Sequence, residues 1–136
     1  MAGNLSDYTK NELRKHVFRT GSFTKPAALY LGLFTAAPTD AGGGTEVVGG
    51  SYARVQVGPS DAAWSAHATA GRTQNSASVT FPVPSAAWGT VTHAAWFDAA
   101  TGGNMIAWQQ LVTSRVVNNG DPAPSFNAAA LDFQWD

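Results

Sequence analysis

The sequence predicts a mainly β protein, a single-domain β-sandwich or jelly roll with one N-terminal α-helix. Three observations lead there. Only residues 6–19 repeat apolar positions at helical spacing. From residue 26 onward, short runs alternate apolar and polar at period two. Turn formers separate those runs, drawn from 14 Gly and 7 Pro in 136 residues. One helix followed by about seven or eight short strands is the pattern of a two-layer β domain. The expected division is a basic helix and arm over 1–25 and a β body over 26–136, one domain in all.

The helix is expected over residues 6–19. Ser6 can cap it, because its hydroxyl can accept from a free N–H of the first turn. Asp7 and Glu12 lie toward the positive end of the helix dipole; Arg14, Lys15 and Arg19 lie toward the negative end. Leu5, Thr9, Leu13 and Val17 form one narrow stripe, and Gly21 is a plausible stop. So thin a stripe suits a helix lying on another surface.

Leu29–Phe34 reads as a strand apolar on both faces, with the leucines on one side and Tyr30 and Phe34 on the other. Residues 36–50 form a Gly-rich loop with a short central strand candidate. Tyr52–Val57 alternates Ala53, Val55 and Val57 against Tyr52, Arg54 and Gln56. Residues 58–74 are polar and Ala-rich around Trp64, and are expected to be an exposed excursion. Ser78–Phe81 is a short strand stopped by Pro82 and Pro84. Residues 90–98 and 104–111 read as a hairpin across Ala99–Gly103. A short strand over Arg115–Val117 precedes the turn at 118–122. The chain closes on a strand with Leu131, Phe133 and Trp135 on one face.

Composition excludes several function classes. Charged residues are 12% of the chain, about half the usual roughly 25%. The net charge of −1 argues against a general nucleic-acid binder. The absence of Cys excludes disulfides, thiol catalysis and Cys-ligated zinc. No apolar run is long enough to span a bilayer as a helix. Asp7, Lys10, Glu12 and Arg14 interrupt any leader-like apolar stretch, so a cytosolic product is expected. The charge is unevenly placed. Residues 1–25 carry five cations against two acids, and residues 26–136 carry three against seven. Such asymmetry marks a docking surface or merely a solvated helix face. The candidate partner-binding residues are therefore Lys10, Arg14, Lys15, Arg19 and Lys25. Trp64 joins them as the tryptophan in the most polar setting.

No catalytic constellation is expected. His16, His67 and His93 lie on different elements, and His93 reads as a core or interface histidine. Gly49–Ala53 lacks the final glycine of a nucleophile elbow and enters a strand where the elbow should enter a helix. Gly42–Thr45 has no lysine to make a phosphate loop. Asp40, Glu46, Asp61, Asp98 and Asp121 are scattered through turns, where Asp commonly bonds the backbone. No enzyme activity, metal or cofactor is expected. The tryptophans read as core or interface anchors in preference to a sugar platform.

Residues 5–54 and 78–108 resemble a family of small tailed-bacteriophage virion proteins, described as tail-fibre-like or as uncharacterised structural proteins. The resemblance rests on Leu5-Ser6-Asp7-Tyr8, Leu29–Thr35, Gly44-Thr45-Glu46-Val47, Gly50-Ser51-Tyr52-Ala53-Arg54 and Trp88-Gly89-Thr90-Val91-Thr92-His93. It departs at residues 58–74, which are longer and less regular, and at residues 118–130, which carry Pro122 and Pro124. The resemblance implies a non-enzymatic structural protein located in the virion and assembled in the host cytoplasm. Its implied partners are the major capsid protein or tail proteins, with neither membrane insertion nor specific nucleic acid. A homo-oligomer is the default for such proteins. A compact body without a stalk favours a capsid decoration, or cement, protein that binds and stabilises the outer shell. The alternatives are a small tail-fibre or baseplate accessory, and a receptor- or carbohydrate-binding module contacting ligand through Trp64 and Tyr52. Removal of residues 1–25 is expected to leave a folded β body that attaches poorly.

Overall fold

The computed structural model describes residues 2–66 and 71–135. In chain order the elements are β1 (Ala2–Leu5), α1 (Asp7–Phe18), β2 (Tyr30–Ala36), β3 (Thr45–Glu46), β4 (Val55–Gln56), β5 (Trp64–Ala66), β6 (Arg72–Asn75), β7 (Val79–Thr80), β8 (Gly89–Phe97), β9 (Met105–Val117), β10 (Ser125–Phe126) and β11 (Asp132–Trp135). The protein is mainly β with one helix near its N-terminus, and its sheets stack as a sandwich.

The first layer is built around β2, β8 and β9. β8 pairs antiparallel with β2 on one side and with β9 on the other. The short strands β3 and β4 both add to the far edge of β2. The second layer is β11–β6–β5, all antiparallel. β1 joins the two. Its first half pairs parallel with β11 through Ala2 and Gly3, and its second half pairs antiparallel with β9 through Asn4 and Leu5. Residues 1–25 thus contain a sheet strand as well as the basic helix. The four residues Ala-Gly-Asn-Leu show no alternation, so only their pairing partners make them a strand.

Period two puts one set of side chains between the layers. Leu31 and Leu33 of β2, Ala94 and Trp96 of β8, and Phe133 of β11 are buried there. The Trp96 ring meets Phe133 edge-on, with centroids 4.8 Å apart, and Trp64 at 6.2 Å. Gly3 makes this approach possible: a Cβ there would lie 2.1 Å from Phe133 Cε2. The small β7–β10 sheet closes one end of the core. There Phe81 stacks on Tyr52 and meets Phe126, while Trp88 meets Tyr52 edge-on at 5.3 Å.

The 90–98 and 104–111 hairpin is β8–β9, but β9 continues without a break through the short strand expected at 115–117. The exposed excursion expected over 58–74 is a correction. Trp64–Ala66 and Arg72–Asn75 form the β5–β6 hairpin, in which Thr73 lies opposite Ala66 and its Oγ1 donates to Ser65 O at 2.9 Å. Ser65, Gln74 and Arg72 make their outward face polar and Thr73 and Asn75 lie on the inward one, so the strands lack the apolar alternation by which strands are read. His67 lies outside the described residues.

Candidate functional site

The hydrogen bonds that root the basic helix in the body come from its first turn. Ser6 caps α1, its Oγ accepting from Thr9 N at 3.1 Å. Thr9 is the one buried residue of the helix, and its Oγ1 donates to Ile106 O at 2.8 Å. Asp7 N donates to Asp40 O at 2.8 Å. The Asp40 carboxylate accepts from Trp108 Nε1 at 2.9 Å and pairs with Lys10. Lys10, and then Trp108, hold the Asp40 carboxyl below its ordinary range. Asp40, from the Gly-rich loop, thus latches the helix to β9.

Leu13 is still half-buried, and from Arg14 onward the helix leaves the body. Arg14, Lys15, His16, Val17 and Phe18 are exposed, Val17 at 66% and Phe18 at 81%. The stripe read from the sequence therefore splits, with Thr9 inside and Val17 outside. The arm turns back where Phe23 N donates to His16 Nδ1 at 3.2 Å.

The candidate cations differ in availability. Lys10 is committed to Asp40 and lies near Asp7. Lys15 pairs with Glu12 at 2.7 Å. Arg14 donates to the side-chain Oδ1 of Asn11 at 3.0 Å, and Arg19 and Lys25 are exposed. Among the described residues no carboxylate pairs with these last three. Arg14 and Arg19 flank the exposed apolar pair Val17 and Phe18 along the helix end, so it offers charge and apolar surface together.

Trp64 is not the exposed contact expected. Its ring packs on Trp96 and its Nε1 donates to Val57 O at 2.9 Å. Polar neighbours in sequence suggested exposure, but the β5–β6 hairpin turns this side chain inward. Trp64, Trp96, Phe133 and Leu29 instead border an apolar cavity of about 240 Å³.

A polar cluster occupies the other face of β2; the sequence reasoning named only its Tyr52, as a ligand contact, and did not single out Glu46 or Arg54. Arg54 spans Glu46 with two bonds of 2.7 and 2.8 Å. Its Nη1 donates to Ala99 O and Gly102 O, and its guanidinium lies 3.5 Å from the Phe97 ring centre. The Arg54 side chain is only 7% exposed. Tyr52 donates to Glu46 at 2.8 Å and accepts from Leu33 N at 2.9 Å. Burial raises the Tyr52 pKa above its ordinary value, keeping it a neutral phenol. Gly32 leaves room for the cluster, since a Cβ there would be 2.8 Å from Glu46 Oε1. The sequence signal was present: Glu46, Tyr52 and Arg54 all fall within the two Gly-led blocks of the resemblance. These groups bond one another and two backbone carbonyls, which fixes the 46–54 and 98–103 loops side by side. A cleft of about 390 Å³ runs between those loops.

His93 Nδ1 lies 2.8 Å from Thr92 Oγ1, and its ring tilts against Trp108. Burial lowers its pKa. Among the described residues no group of three His, Asp or Glu gathers as metal ligands.

No curated protein matches the chain. A family model described as Podophage GP4 fiber I protein gp80 matches residues 4–134. That span takes in β1's second half, the latched helix, the Glu46–Tyr52–Arg54 cluster and nearly all of β11. The chain belongs to the podophage GP4 fiber I protein gp80 family, a family of tailed-phage virion fibre proteins.

Proposed function

We propose that this chain is a non-enzymatic structural component of a phage fibre, attached to a neighbouring virion protein through the free end of α1. The observation that carries this is the split character of the helix. Its first turn is fixed by Thr9 and Asp40, whereas Arg14, Val17, Phe18 and Arg19 project into solvent. A helix of 12 residues is marginal in isolation. Seating its end on an acidic partner with an apolar groove would order it and bury Phe18, and the cations would steer the encounter.

The fibre family favours the tail-fibre reading over capsid decoration, which rests on compactness alone. The sugar-binding reading loses both of its proposed contacts, because Trp64 packs inside and Tyr52 is bonded to Leu33 and Glu46. Arg54 likewise spends its donors within the fold, which suits a structural cluster better than a reacting one.

The test is reattachment of purified chain to phage particles lacking it, with heads and tails separated. The triple change Arg14→Glu, Arg19→Glu and Lys25→Glu should weaken attachment to tails roughly tenfold or more, and added salt should do the same to wild type. Undiminished attachment of the triple variant would refute the helix as the anchor. Attachment to heads alone would restore the decoration reading.

A further inference from the structure

We infer that the apolar cavity between the two layers is a binding site for a small neutral aromatic molecule carrying one hydrogen-bond acceptor. Trp96, Ile106, Ala107 and Phe133 are buried and form its floor. Leu29, Trp64 and Thr73 also border it and are only half-buried, so they form a mouth toward solvent. Its volume of about 240 Å³ exceeds the roughly 150 Å³ of an apolar cavity that stays dry and takes up benzene.

The walls select the chemistry. No lining side chain is charged. Arg72 and Asp132, next in sequence to Thr73 and Phe133, pair with each other. Strand alternation places them on the opposite face from the cavity. A charged ligand would therefore be buried without a counter-ion, which excludes carboxylates and amines. Aromatic rings supply much of the wall. Trp96 meets Phe133 at 4.8 Å and Trp64 at 6.2 Å, with interplanar angles of 62° and 55°. A further ring extends the same tilted packing.

One polar group is left over. Trp64 Nε1 donates to Val57 O and Thr73 Oγ1 to Ser65 O, each at 2.9 Å. Trp96 Nε1 is buried and, among the described residues, has no hydrogen-bond partner. Native folds rarely leave a buried donor unpaired, because its lost hydration is not repaid. A water is a poor remedy in so apolar a cavity, since a buried water needs about two to four polar partners. The carbonyl oxygen of an aromatic ketone would accept this proton and bring no unmatched donor of its own. A saccharide would bring several hydroxyls that these walls cannot match.

Acetophenone tests this on the full chain, with isopropylbenzene, which carries a methyl group in place of the carbonyl oxygen, as its control. In nuclear magnetic resonance titrations both should bind saturably and move the Trp64 and Trp96 indole signals. Only acetophenone should move the Trp96 Nε1 proton downfield, as a newly formed hydrogen bond does. Trp96→Phe should weaken acetophenone roughly three- to tenfold more than isopropylbenzene. Leu29→Trp narrows the half-buried mouth and should weaken both probes roughly tenfold or more, with unchanged far-ultraviolet circular dichroism. If Trp96→Phe does not fold, the wild-type proton shift and the Leu29→Trp variant decide the matter. Failure of both probes to saturate, or binding indifferent to Leu29→Trp, would overturn the site. Equal Trp96 Nε1 shifts with the two probes would overturn the selection for an acceptor.

Discussion

Gly3 and Phe133 occupy one position between them: the Cβ that Gly3 lacks would lie 2.1 Å from Phe133 Cε2 and 2.5 Å from Cζ. The contact ties the second residue of β1 to the centre of β11, where Phe133 is 4% exposed and meets Trp96. Gly3→Ala should therefore displace the ring and cost about 1–3 kcal/mol, as overpacked cores do. Gly3 does not have a positive φ, so the penalty is steric. Urea unfolding checks it. Phe133→Leu in the Gly3→Ala background should cost less than in wild type, and strictly additive losses would count against the clash.

The same contact bears on truncation. β1 pairs with both β9 and β11, so removal of residues 1–5 should lower the unfolding midpoint and expose Phe133. A truncation of 1–25 removes this strand along with the helix. Comparing it with a chain in which only residues 10–25 are replaced by a flexible linker separates attachment from folding. The linker protein should keep near-wild-type stability.

Arg54 should be the least replaceable cation. Arg54→Met breaks a largely buried pair with Glu46 and releases Ala99 O and Gly102 O, with an expected loss of about 3–5 kcal/mol. Arg54→Lys keeps the charge but loses the fork and the stacking on Phe97, and should still cost about 1–3 kcal/mol. Amide exchange in residues 98–103 should accelerate in both. Protection equal to wild type would show that the loops are held by other means.

Gln109 carries a prediction of opposite sign. It is 1% exposed, and neither Nε2 nor Oε1 has a hydrogen-bond partner. An unsatisfied buried amide costs about 1–3 kcal/mol. Gln109→Met, of similar length, should thus raise stability by about 1–2 kcal/mol in urea unfolding. A loss on this substitution would mean that the amide is satisfied in solution, as by an internal water.

The helix latch should be acid-sensitive. Asp40 is held below its ordinary value of 3.8 by Lys10 and Trp108. Its charged form therefore favours the folded state fully above that value, and the contribution is lost as pH falls through the lowered folded value. Helix-end and Trp108 indole signals in a nuclear magnetic resonance titration should shift together below pH 3.8. Asp40→Asn should abolish the Asp40-linked part of that shift. An identical titration in the Asn variant would assign it to another carboxyl.

Local pattern determined much of this protein. Period-two runs placed β2, β8, the start of β9 and β11, because alternation is a property of neighbouring residues and each of these strands has a buried face. Ser6 and the run that follows it fixed the helix for the same local reason. Charge counting found the basic segment. Tertiary structure decided the rest. β1 has no pattern of its own and exists because β9 and β11 flank it. The β5–β6 hairpin is polar outside, so its inward Trp64 was hidden among residues that look exposed. Which cations are free depended on Asp40, thirty positions from Lys10, and Arg54 became structural only when β2 brought Glu46 and Phe97 to it. Backbone preference and amphipathic spacing act over a few residues and can be read from them. Pairing, burial and charge compensation act between residues far apart in the chain, and are fixed only when the layers close.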